Sequence, residues 1–153
     1  MTDHTKYLLD KIHSTDRKRV KVNFFKFPCE AVMLDFIGAE RYIVMDFGAV
    51  WFRPRIFTNT FGILTKGCEP MVCKDAVHGY RWVNLETSVG KLWFPINQLV
   101  GWAFDPQTNR DNRYYVSDLE ATLPIERSNY KWVKEIPFDN DSLYCRFMKN
   151  LYE

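Results

Sequence analysis

Gly79-Tyr80-Arg81-Trp82-Val83-Asn84-Leu85-Glu86-Thr87-Ser88-Val89-Gly90-Lys91-Leu92-Trp93-Phe94-Pro95-Ile96-Asn97-Gln98-Leu99-Val100-Gly101-Trp102-Ala103-Phe104-Asp105-Pro106 is the stretch whose reading decides the fold. Tyr80 to Leu85 and Lys91 to Phe94 are aromatic and aliphatic runs on either side of Thr87-Ser88-Val89-Gly90, the pattern of a β-hairpin. Pro95 ends the second strand because it has no N–H for a ladder. Beyond it the spacing changes. Ile96, Leu99, Val100 and Ala103 fall on one helical face, and Asp105-Pro106 closes that helix. A hairpin running directly into a short apolar helix predicts an α+β domain.

Outward from this stretch the pattern continues in small pieces. Residues 5–15 predict a helix with Tyr7, Leu8, Leu9 and Ile12 on one face. Arg19 to Phe24 alternates polar and apolar residues, the mark of a half-buried strand, and Pro28 is expected to stop it. Residues 30–37 fit strand or helix equally, with Gly38 as the end. Arg41–Met45 and Ala49–Phe52 predict two strands about an Asp46-Phe47-Gly48 turn. Residues 56–67 predict two extended pieces about a turn at Asn59–Gly62, and Cys68–Ala76 a loop. Tyr114–Val116 predicts a short strand, 117–131 an irregular segment holding Pro124, and Trp132-Val133 an apolar anchor. Residues 141–151 carry Leu143, Tyr144, Phe147, Met148 and Leu151 on one helical face. The expected architecture is α+β: small antiparallel strands and hairpins, a central short helix, and helices at both ends.

The 153 residues suit one domain, and 46% hydrophobic content supplies a core without staples. Twelve Phe, eight Tyr and five Trp favour strands over a helical bundle. A net charge of +2 leaves partners to local clusters. No apolar run is long enough for a membrane-spanning helix, and Met1 to Asp16 holds no secretory apolar region, so the expected location is a host-cell cytoplasm or a virion, with no membrane partner. Cys29, Cys68, Cys73 and Cys145 are expected to stay reduced. Cys68-x4-Cys73-x4-His78 lacks the second paired half of a structural zinc site, so no resident metal is expected.

The order of pieces from Phe57 to Val133 resembles the phage and intron HNH homing endonucleases. Ile56-Phe57-Thr58-Asn59-Thr60-Phe61-Gly62-Ile63-Leu64 is similar to that family's opening Y-x-I/V-S-N-x-G-x-V unit. Gly79-Tyr80-Arg81-Trp82-Val83-Asn84-Leu85 and Gly90-Lys91 resemble its G-Y-x-x-V-x-L and Gly-Lys turn. Ile96 to Pro106 is similar to v-H-R-L-V-x-x-A-F-x-P. Val116-Ser117-Asp118 and Asn129-Tyr130-Lys131-Trp132-Val133 resemble V-N/D-H and N-L-x-W-V. The resemblance implies an N-terminal helix-and-strand extension over 1–55 and an HNH-like domain over 56–153, packed as one compact unit.

The departures bear on chemistry. An HNH nuclease activates water with a histidine base and holds one divalent metal against the scissile phosphate. At the base position the chain has Asp118, at the first metal-ligand position Ser117, and at the helix-start histidine Asn97; Asn129 is the surviving remnant. The expectation is a non-catalytic protein of phage type acting as a DNA-binding or regulatory module. Two alternatives stand beside it. One is a virion component or host-protein inhibitor on the same scaffold, with a protein partner or virion neighbours. The other is an active nuclease with rearranged ligands, using Asp118, Glu120 and Asp105 or Asp111, and a divalent metal such as Mg²⁺. For DNA the candidates are Arg17, Lys18, Arg19 and Lys21, interleaved with Phe24, Phe25 and Phe27, and then Arg53 and Arg55 about Pro54, since cations serve phosphates and rings serve bases.

Overall fold

The computed structural model describes residues 3–24, 27–52, 61–63, 72–74, 80–105, 107, 111–117, 124–135 and 143–152. Helix α1 (Asp3–Ser14) leads into β1 (Arg19–Phe24), β2 (Phe27–Leu34), a 3-10 turn (Asp35–Ile37), β3 (Ala39–Met45) and β4 (Val50–Phe52). Short strands β5 (Phe61–Ile63) and β6 (Val72–Lys74) precede the hairpin of β7 (Arg81–Thr87) and β8 (Gly90–Pro95). Then come α2 (Ile96–Phe104), β9 (Tyr114–Ser117), a 3-10 turn (Arg127–Asn129), β10 (Tyr130–Val133) and α3 (Leu143–Tyr152). The predicted α+β class holds.

Three sheets form, in the orders β4-β3-β2-β1-β5, β6-β7-β8 and β10-β9. All pairings are antiparallel except β1 with β5. The hairpin closes as its sequence predicts, with Thr87 opposite Gly90 and Trp82 opposite Pro95. Gly90 sits at φ +117, which a side chain rarely adopts.

Three expectations need correction. Pro28 does not stop a strand; it lies in β2 opposite Asn23. β3 pairs with β2 only from Ala31 onward, so near Pro28 the missing N–H deprives no second ladder. Phe61 and Gly62, assigned to a turn, lie in β5 beside Lys21 and Val22. Within the supposed loop of 68–76, Val72–Lys74 is β6, paired with Arg81–Val83. The ambiguous 30–37 segment divides: strand through Leu34, then a 3-10 turn ended by Gly38 at φ +76.

The core lies between the helices and one face of the five-stranded sheet. One cluster joins Leu8 and Ile12 of α1, Val32, Leu34 and Val44 of the sheet, Leu85 and Phe94 of the hairpin, Leu99 and Val100 of α2, and Met148 of α3. It therefore crosses the 55/56 division. The sheet's other face carries a second cluster of Ala31, Ile43, Met45 and Trp51. Every residue of α2 is buried, which makes it the central helix of the domain. Neither Cys29 nor the buried Cys145 is in a disulfide, while Cys68 and His78 lie outside the described residues. Among the described residues no helix is long and apolar enough to cross a membrane.

Candidate functional site

The α2–β9–β10 unit is where the resemblance puts a catalytic centre. Asn97 and Gln98 begin α2 and are 3% and 0% exposed, so their amides need partners. The partner is the open edge of β9. Asn97 Nδ2 donates to Tyr115 O at 2.7 Å, Gln98 Nε2 donates to Arg113 O at 2.8 Å, and Gln98 Oε1 accepts from Tyr115 N at 3.2 Å. Two side-chain amides thus stand in for a neighbouring strand. The Tyr144 hydroxyl of α3 completes the network. It accepts from Asn97 Nδ2 at 2.8 Å and donates to Gln98 Oε1 at 2.6 Å. Burial holds the Tyr144 phenol well above its usual range, so it remains a neutral donor.

The remnant positions sit around this junction. Ser117, 8% exposed, pairs with Tyr130 at the end of β9. Asn129 immediately precedes Tyr130, is exposed, and donates to Glu126 Oε2 at 3.3 Å. Asp118 and Glu120 lie outside the described residues. Among the described residues no group of three or more His, Cys, Asp or Glu side chains is placed to hold a metal ion.

A second polar cluster closes the other end of α2. Asp105 accepts from Arg127 Nη2 at 2.5 Å and Arg127 Nε at 3.2 Å, and from the Tyr115 hydroxyl. Its own carbonyl accepts from Trp132 Nε1 at 2.7 Å. The hydrogen bond from Arg127 pulls the Asp105 carboxyl below its ordinary range against the opposing effect of burial, and the bond from Tyr115 adds to it. The Tyr115 phenol is pushed up by burial and then by Asp105. A carboxyl depressed on folding stabilises the fold above its unfolded pKa, and that contribution vanishes as pH falls through the folded value. Both side chains are about one-third exposed, 34% and 35%, which tempers the gain. Asp105→Asn is expected to lower stability by about 1–2 kcal/mol at neutral pH. The deficit should shrink below about pH 4, where wild-type Asp105 loses its charge too. Urea midpoints taken from pH 7 to pH 2.5 check this; a constant gap would contradict it.

The basic candidates separate. Arg17 is turned inward: Nε donates to Trp102 O at 2.8 Å, Nη1 to Thr15 O at 2.7 Å and Nη2 to Ile12 O at 2.8 Å. Its guanidinium lies 3.9 Å from the centroid of Phe36. Arg127 likewise donates to Phe104 O at 3.2 Å. The last turn of α2 has no basic residue of its own, so two arginines remote in sequence serve its terminal carbonyls. Lys18 bridges to Asp35 at 3.2 Å, and Arg19 to Glu30 at 2.7 Å. Lys21 is exposed, and Arg53 and Arg55 lie outside the described residues. Arg17→Ala is expected to cost about 2 kcal/mol through three abandoned carbonyls. Arg17→Lys should recover only part, because an ammonium cannot reproduce the fork. Full recovery by lysine in chemical denaturation would contradict this.

One open cleft of about 470 Å³ lies elsewhere, among Lys11, Asp35, Glu40, Arg41, Tyr42 and Glu86. Its carboxylates make it a poor receptor for phosphate. Comparison with family models, curated proteins and solved structures finds no match to this chain.

Proposed function

We propose that the chain is a non-catalytic, HNH-endonuclease-like module of phage type whose ligand is DNA. The α2–β9 junction is the observation that carries the non-catalytic half. Where a nuclease of this type would need an open, hydrated metal and base, the amides of Asn97 and Gln98 are committed to Tyr115, Arg113 and Tyr144, and Ser117 is buried. A serine without carboxylate neighbours is also a poor ligand for a hard cation. The DNA half rests on the motif order, on exposed Lys21, and on the cations at Arg53 and Arg55.

The test is binding of a duplex and a single-stranded oligonucleotide across a salt series, with supercoiled-plasmid nicking in Mg²⁺ and Mn²⁺ as its companion. The expected result is salt-dependent binding without nicking. Absence of affinity at low salt overturns the DNA reading. Metal-dependent nicking that is lost on Asp118→Ala establishes the rearranged nuclease instead. A protein-binding role, as virion component or inhibitor, is favoured by one observation: Arg17, Lys18 and Arg19 all have partners within the chain. A protein partner co-purifying with a DNA-inert chain would establish that role.

A further inference from the structure

We infer that the solvent face of α3, continued by Arg113 and Lys134, is the surface that meets the phosphate backbone. The inference rests on the DNA reading above and gives it an address different from the one expected from sequence. Helix α3 reads Leu-Tyr-Cys-Arg-Phe-Met-Lys-Asn-Leu-Tyr and contains no acidic residue. Tyr144, Cys145, Met148 and Leu151 are buried, whereas Arg146, Lys149 and Asn150 are exposed. Its charged face is therefore wholly cationic.

The neighbouring elements extend that charge. Arg146, Lys149 and Tyr152 follow one another at i, i+3 spacing, a row on one side of the helix. The guanidinium of Arg113 lies 4.8 Å from the centroid of Tyr152, at the end of this row. His13 meets the same ring edge-on at 6.4 Å. The β9–β10 ladder ends with Val133 opposite Tyr114, so Lys134 and Arg113 are the next residues outward on the two strands. Lys134 is exposed. Arg113, Lys134, Arg146 and Lys149 thus converge on one end of the domain, against Asp111 and Glu135 as the exposed acids adjoining in sequence.

The geometry suits backbone contact rather than base reading. From Arg146 to Tyr152 the row spans about 9 Å. That length of duplex axis carries about five phosphate charges. The Tyr152 ring is covered by Arg113 and His13, so it offers no open face for a base. The N-terminal cluster differs in kind, because Arg17, Lys18 and Arg19 each face a partner inside the chain. The 470 Å³ cleft differs too, with Asp35, Glu40 and Glu86 set against Lys11 and Arg41.

Arg146→Glu/Lys149→Glu in the full chain is the decisive variant, measured by fluorescence anisotropy with a 20-base-pair duplex at 50–200 mM salt. Wild type is expected to bind with a salt-dependent affinity. The double variant is expected to lose at least tenfold at the lowest salt, with its salt slope smaller by about 2. Lys91→Glu, a charge reversal at an exposed position on β8, is expected to change affinity less than threefold. Arg146→Gln/Lys149→Gln, milder in charge, covers the case of a double reversal that folds poorly; it too should weaken binding and flatten the slope. Wild-type binding that either folded double variant leaves unchanged overturns the surface while the DNA reading stands. Equal loss from Lys91→Glu overturns the surface as well, since the field would then be diffuse. A wild type that binds neither duplex nor single strand overturns both.

Discussion

Gly101→Ala is expected to destabilise the domain by about 3 kcal/mol and to lower the thermal midpoint by roughly 6–12 °C. Helix propensity alone predicts the opposite sign, since alanine is better than glycine inside a helix by about 1 kcal/mol. Space decides the matter. A Cβ at Gly101 would lie 2.4 Å from Tyr115 Cγ, 2.7 Å from Tyr115 Cβ and 2.8 Å from Tyr115 Cδ2. These atoms are the root of a side chain rather than its flexible end, so relief requires moving β9 itself. Tyr115 is held on every side: its backbone by Asn97 and Gln98, its hydroxyl by Asp105, and its ring against Tyr130 and Trp132 at centroid distances of 5.4 and 5.1 Å. Glycine is thus required here for close approach of helix to strand. Calorimetry of Gly101→Ala beside Gly101→Val gives the check: valine should be worse than alanine, and a stabilised alanine variant would mean that the helix and β9 do not touch as described.

What was legible in the sequence follows from the range of the interactions. Helix α2 and the β7–β8 hairpin were readable because periodicity, Pro95 and the Gly90 turn all act within a few residues. The strand identities of Phe61–Ile63 and Val72–Lys74 were not, because each is a three-residue strip whose partner lies elsewhere: Lys21–Asn23 for the first, Arg81–Val83 for the second. Arg17 shows the same limit in a functional residue. A run of Arg17, Lys18 and Arg19 has the composition of a phosphate-binding cluster, yet Arg17 serves a helix terminus 85 residues away at Trp102. A local signal did exist, since an all-apolar helix without a basic last turn needs cations from elsewhere; nothing local names which ones. The departures at Asn97 and Ser117 were readable as substitutions. Their physical meaning became visible only with β9 beside α2.

Gln98→Leu is expected to be the most damaging single polar-to-apolar change, at about 3–5 kcal/mol. Leucine is of similar size, so packing volume is nearly conserved and the loss isolates the amide. Three groups would be orphaned together: the Tyr115 N–H, the Arg113 carbonyl and the Tyr144 hydroxyl proton. The first two belong to a strand edge that no other described strand pairs, since β9's one partner strand is β10. Tyr115 and Trp132 stand opposite each other, and with the Tyr115 N–H and carbonyl turned toward α2 they form a non-hydrogen-bonded pair of the β9–β10 ladder. A leucine at 98 therefore cannot be compensated by tightening that ladder. Gln98→Glu makes the informative partner variant. It keeps an acceptor for Tyr115 and Tyr144 but loses the donor to Arg113 O, and burial would then raise the carboxyl's pKa. Its stability should consequently improve on acidification, whereas that of Gln98→Leu should not. Denaturation of both variants at pH 7 and pH 4.5 separates them, and equal pH responses would refute the network. The same logic explains why this centre resists conversion to a metal site: every amide that would have to be replaced by a ligand is already holding a strand in place.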